Sequence, residues 1–183
     1  VRIIRGIYKA RRFSPPKNFP SRPTTDYAKE GLFNVLEHRI DLTDLEILDL
    51  CAGTGNISLE FLSREAGNIT AVDRHPLCIR FIYKWAKELN TGPEFQIAQN
   101  EVLQFVDKTK STYDLIFADP PYDAAIHHDL ATKVIDRKLL NEGGLMIIEH
   151  GRQTDLSALP HFQDVRNFGN VYFSFFTQET PAP

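Results

Sequence analysis

The chain has 183 residues, of which 42% are hydrophobic and 25% charged. That is enough for one domain with a substantial core, and it is not the composition of a disordered or fibrous chain. No apolar run approaches the ~20 residues of a membrane helix, and the basic, mixed N-terminal stretch does not read as a secretory leader. The expectation is a cytoplasmic protein with no membrane and no metal. Cys51 and Cys78 are too few for a disulfide framework or a metal cluster and are expected to pack as small apolar groups.

The net charge of −3 hides an asymmetry. Arg2, Arg5, Lys9, Arg11, Arg12, Lys17 and Arg22 precede the first acid, Asp26, leaving 14 of the 21 basic residues against all 24 acidic ones. A basic arm on an acidic body suits a polyanionic partner. The arm also carries Ile3, Ile4, Ile7, Tyr8 and Phe13, which a purely solvated tail would not need. Residues 2–13 alternate loosely and are expected to form a short hairpin or edge strand. Ser14 to Pro23 is a Pro-rich, extended connector. The organisation expected is therefore an arm and connector over residues 1–23 and a main domain over residues 24–183.

From Thr25 to His38 the pattern is helical, with Thr25 or Asp26 as cap. Strand and helix then alternate. Strands are predicted at 46–50, 68–73, 94–99, 113–119 and 143–150, and helices at 57–66, 76–89, 101–108 and 124–140. Residues 164–178 read as two strands around Gly169-Asn170. The alternation predicts an α/β fold, a doubly wound, mostly parallel sheet closed by an antiparallel C-terminal hairpin. In such sheets ligands bind beyond the carboxyl ends of the strands.

The strand ends are where chemistry is expected. The first ends in "DLCAGTGN", with Asp49, Gly53, Thr54 and Gly55. Two glycines one residue apart permit a tight turn and close approach to a ligand, and the helix that follows offers free N–H groups. Asp49 could attract an ammonium group. Gly53-x-Gly55-x-x-Ser58 nearly matches a dinucleotide fingerprint, with Ser where Gly or Ala is usual. The second strand ends in Asp73, placed to accept from ribose hydroxyls or to cap the next helix. The third leads to Asn100 and Glu101, either of which could reach an adenine edge or cap the short helix.

The fourth strand ends in Asp119-Pro120-Pro121-Tyr122. Tandem prolines cannot continue a sheet, so the segment reads as a rigid shelf. Asp119 and the Pro120 carbonyl are two acceptors, and Tyr122 is a ring on which a base can stack. Two acceptors gripping the N–H bonds of an exocyclic amine localise its lone pair and stabilise the charge that develops on alkylation. A base held this way is flipped or single-stranded. Asp119, Pro120 and Tyr122 are the candidate catalytic residues. His127 and His128 show no ligand spacing and are expected on a solvated helix surface.

In this order, "DLCAGTGN", Asp73 and "ADPPY" resemble class I S-adenosylmethionine-dependent amino-methyltransferases, which implies a Rossmann-like sheet. "RIIRG" followed by "RPTTDYAKEGLFNVL" is similar to the bacterial 16S ribosomal RNA guanine-N2-methyltransferases of the RsmD type, with their short basic N-terminal hairpin arm. The resemblance implies S-adenosylmethionine as cofactor. Asp49, Gly53, Thr54 and Gly55 would then lie around its methionine part, Asp73 at the ribose and Asn100 at the adenine. It implies ribosomal RNA or an assembled small subunit as partner, with Arg2, Arg5, Arg11, Arg12, Arg22, Thr24 and Tyr122 touching substrate, and the protein is expected to be a monomer. Asn100 stands where many methyltransferases have Asp, and Arg5 where Gly is often seen. Adenine-N6 methylation is the alternative with the same shelf. A non-catalytic RNA-binding protein or an NAD-dependent oxidoreductase would leave the Asp-Pro-Pro-Tyr stretch without a role.

Overall fold

The computed structural model describes residues 1–178. The elements run α1 (Asp26–Arg39), β1 (Leu45–Leu50), α2 (Asn56–Ser63), β2 (Gly67–Asp73), α3 (Pro76–Leu89), β3 (Phe95–Gln99), α4 (Val102–Lys108), β4 (Tyr113–Ala118), α5 (His127–Asp136), β5 (Leu140–His150), β6 (Phe162–Phe168) and β7 (Val171–Thr177). The sheet has seven strands in the order β3-β2-β1-β4-β5-β7-β6. β1 to β5 pair in parallel, and β7 joins β5 and β6 antiparallel. The order reverses between β1 and β4, which makes their carboxyl ends the expected site.

Local chemistry explains the elements. β1 buries every residue except Glu46, as a strand covered on both faces should. α3 starts with Pro76, is capped by the His75 side chain accepting from the Leu77 N–H, and stops at Asn90 in left-handed geometry. Cys78, Ile82, Trp85 and Leu89 give it one apolar stripe. α1, α2 and α3 pack with residues such as Ile47, Leu115 and Phe117 on one face of the sheet. α4 and α5 pack with Leu48, Ile116 and Met146 on the other.

α5 is shorter than the periodicity predicts. Ala125 and Lys138 both have positive φ, so the chain turns before His127 and again after Arg137, and Leu140 enters β5 instead. The expectation that His127 is solvated is also corrected: it is 2% exposed, while His128 is exposed. Helical spacing turns the first of two adjacent histidines inward and the second outward.

The N-terminal arm lies against the body. Its limbs meet antiparallel at a single bridge, Arg2↔Arg12, with the Phe13 N–H donating to the Val1 carbonyl at 2.9 Å. Ile3 and Phe13 are buried in the α1–α2–α3 face of the core. The Glu60 carboxylate accepts from the Ile4 and Arg5 N–H groups, each at 3.0 Å. Lys29, fully buried, lies 3.1 Å from that carboxylate, donates to Asn56 Oδ1 at 2.8 Å and also donates to the Arg2 carbonyl. Removing one partner of a buried ion pair strands the other charge. Lys29→Met is therefore expected to lower unfolding stability by about 3–5 kcal/mol, measured by urea denaturation; a loss below ~1 kcal/mol would show that Arg64, which also pairs with Glu60 at 3.0 Å, satisfies it alone.

Candidate active site

Register decides which side chains meet. Asp49 pairs with Phe117, and Phe117 with Ile147. Asp119 and Glu149 follow Phe117 and Ile147 by two residues, so pleating puts Asp49, Asp119 and Glu149 on one face of the sheet at its carboxyl edge. Asp49 and Glu149 are 1% and 4% exposed.

Each carboxylate has a different set of partners. Both the N–H and the hydroxyl of Ser58 donate to Asp49 Oδ2, at 3.1 and 2.6 Å, leaving Oδ1 open. This accounts for Ser58 in the glycine-loop pattern. Glu149 accepts from Thr24 Oγ1 at 2.8 Å and, more weakly, from the Tyr122 hydroxyl at 3.4 Å. Among the described residues the Asp119 carboxylate has no hydrogen-bond partner. Burial pushes the Asp49 and Glu149 carboxyls up to about 7. Asp119 is pushed well above the usual carboxylate range by burial, then by Glu149 and Asp49 beside it. Among the described residues none of the three forms a salt bridge, and the buried Lys29 is committed to Glu60.

Next to this edge is a cleft of ≈ 380 Å³, lined among others by Ser21, Cys51, Gly53, Asp73, Glu101, Val102, Asp119 and Pro121. Its size is within the range of cofactor pockets. A smaller recess shares Ser21, Cys51 and Asp119 with it and adds Arg22, Thr24, Asp49 and Thr54. Cys51 and Cys78 both line the cleft, and burial pushes the Cys78 thiol up to about 12. Cys51 is thus a wall of the site in left-handed backbone at the end of β1, more exposed than simple apolar packing implies.

Asp73 ties the cleft together. Its Oδ2 accepts from the Gly53 N–H and its Oδ1 from the His75 N–H, both at 2.8 Å. The helix cap itself is His75. Gly55 has φ 75°, and a Cβ there would come within 2.7 Å of the Trp85 ring, so a side chain would have to displace the indole. Trp85 Nε1 donates to the Thr54 carbonyl, whereas the buried Thr54 Oγ1 has no partner. Glu101, which caps α4 by accepting from Leu103 and Gln104, lines the cleft. Asn100 donates its N–H to the Asp73 carbonyl and is half-buried alongside.

The arm residues are distributed differently. Arg2 pairs with Asp26 at 2.8 Å and Arg5 with Glu37 at 3.1 Å. Arg11 lies over the Phe13 ring, and Arg12 and Arg22 are exposed. Thr24 is buried at the site itself. Sequence reasoning missed Glu149 as a site residue. The available signal was an acid at the carboxyl end of the apolar run "LMIIEH". Missed as well was Asn56, whose Nδ2 donates to the Thr24 carbonyl at 3.0 Å and so carries the Lys29 network to the site.

An adenosine-bearing cation matches this chemistry. The unpartnered Thr54 hydroxyl, the Asp73 carboxylate on the cleft wall and an edge with two buried carboxylates, Asp49 and Glu149, and the half-buried Asp119 are compatible with S-adenosylmethionine. Among the described residues no group of three or more His, Cys, Asp or Glu is placed to hold a metal ion, and no helix is long and apolar enough to cross a membrane.

Two curated relatives named Ribosomal RNA small subunit methyltransferase D are similar to this chain. The protein of Buchnera aphidicola subsp. Acyrthosiphon pisum (strain APS) is 32% identical over 162 residues, covering 85% of this chain and 81% of the relative. That of Escherichia coli (strain K12) is 28% identical over 160 residues, covering 87% and 79%. A solved RNA methyltransferase from Salinibacter ruber, in complex with S-adenosyl-L-homocysteine, has the same fold at a TM-score of 0.65 and 13% identity, over 88% of this chain and 97% of that one. The doubly wound, glycine-loop sheet described above is thus that of the Rossmann-like methyltransferases, and the chain belongs to the family described as Conserved hypothetical protein 95, whose model matches residues 1–177.

Proposed function

We propose that the protein is an S-adenosylmethionine-dependent methyltransferase acting on the exocyclic N2 amine of a guanine in small-subunit ribosomal RNA. The observation that carries the reading is the Asp119-Pro120-Pro121-Tyr122 shelf at the carboxyl end of β4, with an unpartnered carboxylate beside the cleft. The names of the relatives support the RNA substrate, and a protein acting on it would work in the cytoplasm.

Bound S-adenosylmethionine would supply an electrophilic methyl group on a sulfonium. Gly53, Gly55, Asp49 and Thr54 would hold its methionine part, Asp73 its ribose, and Asn100 or Glu101 its adenine. The chain's own work is positioning and electrostatics. Asp119 and the Pro120 carbonyl accept from the two N–H bonds of the amine and hold its lone pair toward the methyl donor. Tyr122 supports the base. As the new N–C bond forms, the donor's methyl–sulfur bond would break and its electron pair return to sulfur, leaving neutral S-adenosylhomocysteine; one amine proton must also leave, and Asp119 is the acceptor in contact with it. The alternative of adenine-N6 methylation uses the same shelf and is separated by product analysis.

The basic arm is read as the phosphate contact. Lys9, Arg11, Arg12, Lys17 and Arg22 are exposed, and none of them pairs with an acid among the described residues. Arg2 and Arg5 would have to exchange their carboxylate partners for phosphate.

Labelled methyl should pass from S-adenosylmethionine to unmodified small subunits or their RNA and appear as N2-methylguanosine. N6-methyladenine would overturn the guanine assignment, and label in duplex DNA alone would overturn the RNA one. Asp119→Ala should keep cofactor affinity and lose roughly 10²–10³ in rate; an unchanged rate removes Asp119 from the chemistry. Cofactor binding should also follow pH. Asp49 and Glu149 titrate near 7 without a ligand, and a bound cation lowers those values, so binding releases protons. Affinity for S-adenosylmethionine should therefore rise from pH 6 to pH 8 and level off above. Calorimetry would show a smaller rise for S-adenosylhomocysteine, which lacks the sulfonium charge. If about four arm cations meet phosphates, log affinity for RNA should fall against log salt with a slope near −3; a flat response would remove the arm from the interface.

A further inference from the structure

We infer that Glu149 is the residue that selects guanine, by accepting the base's N1–H while Asp119 and the Pro120 carbonyl hold the neighbouring N2 amine. This rests on the methylation reading above and supplies what that reading lacks, since the shelf alone requires only an amine.

The three candidate bases differ at the ring nitrogen beside the amine. Guanine carries a proton on N1, so its edge presents N1–H and the two N2–H bonds in a row, all donors. Adenine N1 and cytosine N3 present a lone pair at the equivalent place. A carboxylate adjacent to the amine-holding acceptors therefore attracts guanine and repels the other two.

Glu149 is in that place. β4 and β5 are parallel neighbours in register at Ala118↔Ile148, so Asp119 and Glu149 leave the sheet side by side. They share a face with Phe117 and Ile147, both core residues of the α1–α2–α3 side. The two strand ends thus carry two acceptors one strand apart, a spacing of about 4.8 Å, and an edge of adjacent donors can span it.

Glu149 is also held for the purpose. Thr24 Oγ1 donates to Oε2, and the Tyr122 hydroxyl approaches Oε1. A carboxylate has about four lone-pair sites, so both oxygens can still accept. Thr24 is fixed in turn by Asn56 on its carbonyl. Tyr122 is 49% exposed and packs against Gly151, where a Cβ would come within 3.0 Å of its ring. A base that stacks on Tyr122 arrives beside the carboxylate that its hydroxyl touches.

The test replaces guanosine by 2,6-diaminopurine riboside at the position that labelling identifies. This analogue keeps the N2 amine, exchanges the N1 proton for a lone pair and carries an amine in place of O6, so the Glu149→Gln comparison below assigns the effect to N1. With wild-type protein, kcat/KM for the analogue should fall at least ~10²-fold, because a site built to bond an N–H rejects a base lacking it. RNA affinity measured in parallel should be unchanged, which excludes refolded RNA as the cause. The Glu149→Gln variant, whose amide can donate to N1, should lose activity on guanosine RNA and narrow the guanosine-to-diaminopurine ratio by at least ~10-fold. A residue of purely structural importance would lower both acceptors together. Equal use of both acceptors by the wild type overturns the proposal, even if the variant fails to fold. A Glu149→Gln ratio equal to the wild-type ratio also overturns it. Formation of N2-methylguanosine on the guanosine RNA keeps the methylation reading in either case; its absence removes that reading and this one with it.

Discussion

Three carboxylates gathered on one edge of a sheet, none of them in a salt bridge among the described residues, are the constraint around which the rest of this protein is arranged. Asp49, Asp119 and Glu149 come from three adjacent strands, and pleating forces them to one face. Burying like charges together is unfavourable, and it raises their proton affinity. The fold tolerates it because the cost falls at a single edge while the two helical layers bury the apolar faces of the sheet. A site in that condition is complementary to positive charge and to hydrogen-bond donors. A sulfonium, an α-ammonium group and a base edge rich in N–H bonds are ligands of that kind.

The basic arm is held to the body by a second buried arrangement. Lys29, a fully buried cation, is spent on Glu60, on Asn56 and on the Arg2 carbonyl. Glu60 in turn binds the N–H groups of Ile4 and Arg5. The arm is thereby bound to α1 and α2, and its apolar residues Ile3 and Phe13 complete the core. Through Asn56 and Thr24 the same network reaches Glu149. A segment that carries exposed cations on its outer side is in this way rigidly connected to the acidic edge, so that a polyanion on the arm and a base in the site would be registered to one another.

Much of this was legible in the chain. Alternating apolar runs and amphipathic stretches specify the order of strands and helices because burial on two faces demands near-continuous apolar strands. α3 matches its predicted bounds because Pro76 and Asn90 punctuate both ends chemically. α5 does not, because its limits are set by left-handed turns at Ala125 and Lys138, residue types that do not announce positive φ. His127 read as surface for a similar reason: adjacent histidines look alike in sequence, and only the docking of α5 on the sheet turns one of them inward.

By itself the sequence determined the doubly wound class, the glycine turn after β1 and the shelf after β4, since glycine pairs and tandem prolines restrict the backbone wherever they occur. Only the tertiary structure decided which acids stand together. Asp49, Asp119 and Glu149 are separated by 70 and 30 residues of chain, and their convergence depends on strand order and register, which no local pattern encodes. The same holds for Lys29, an ordinary helix residue in sequence that becomes the buried tie of arm to core because its partner Glu60 lies on another helix across the packing interface.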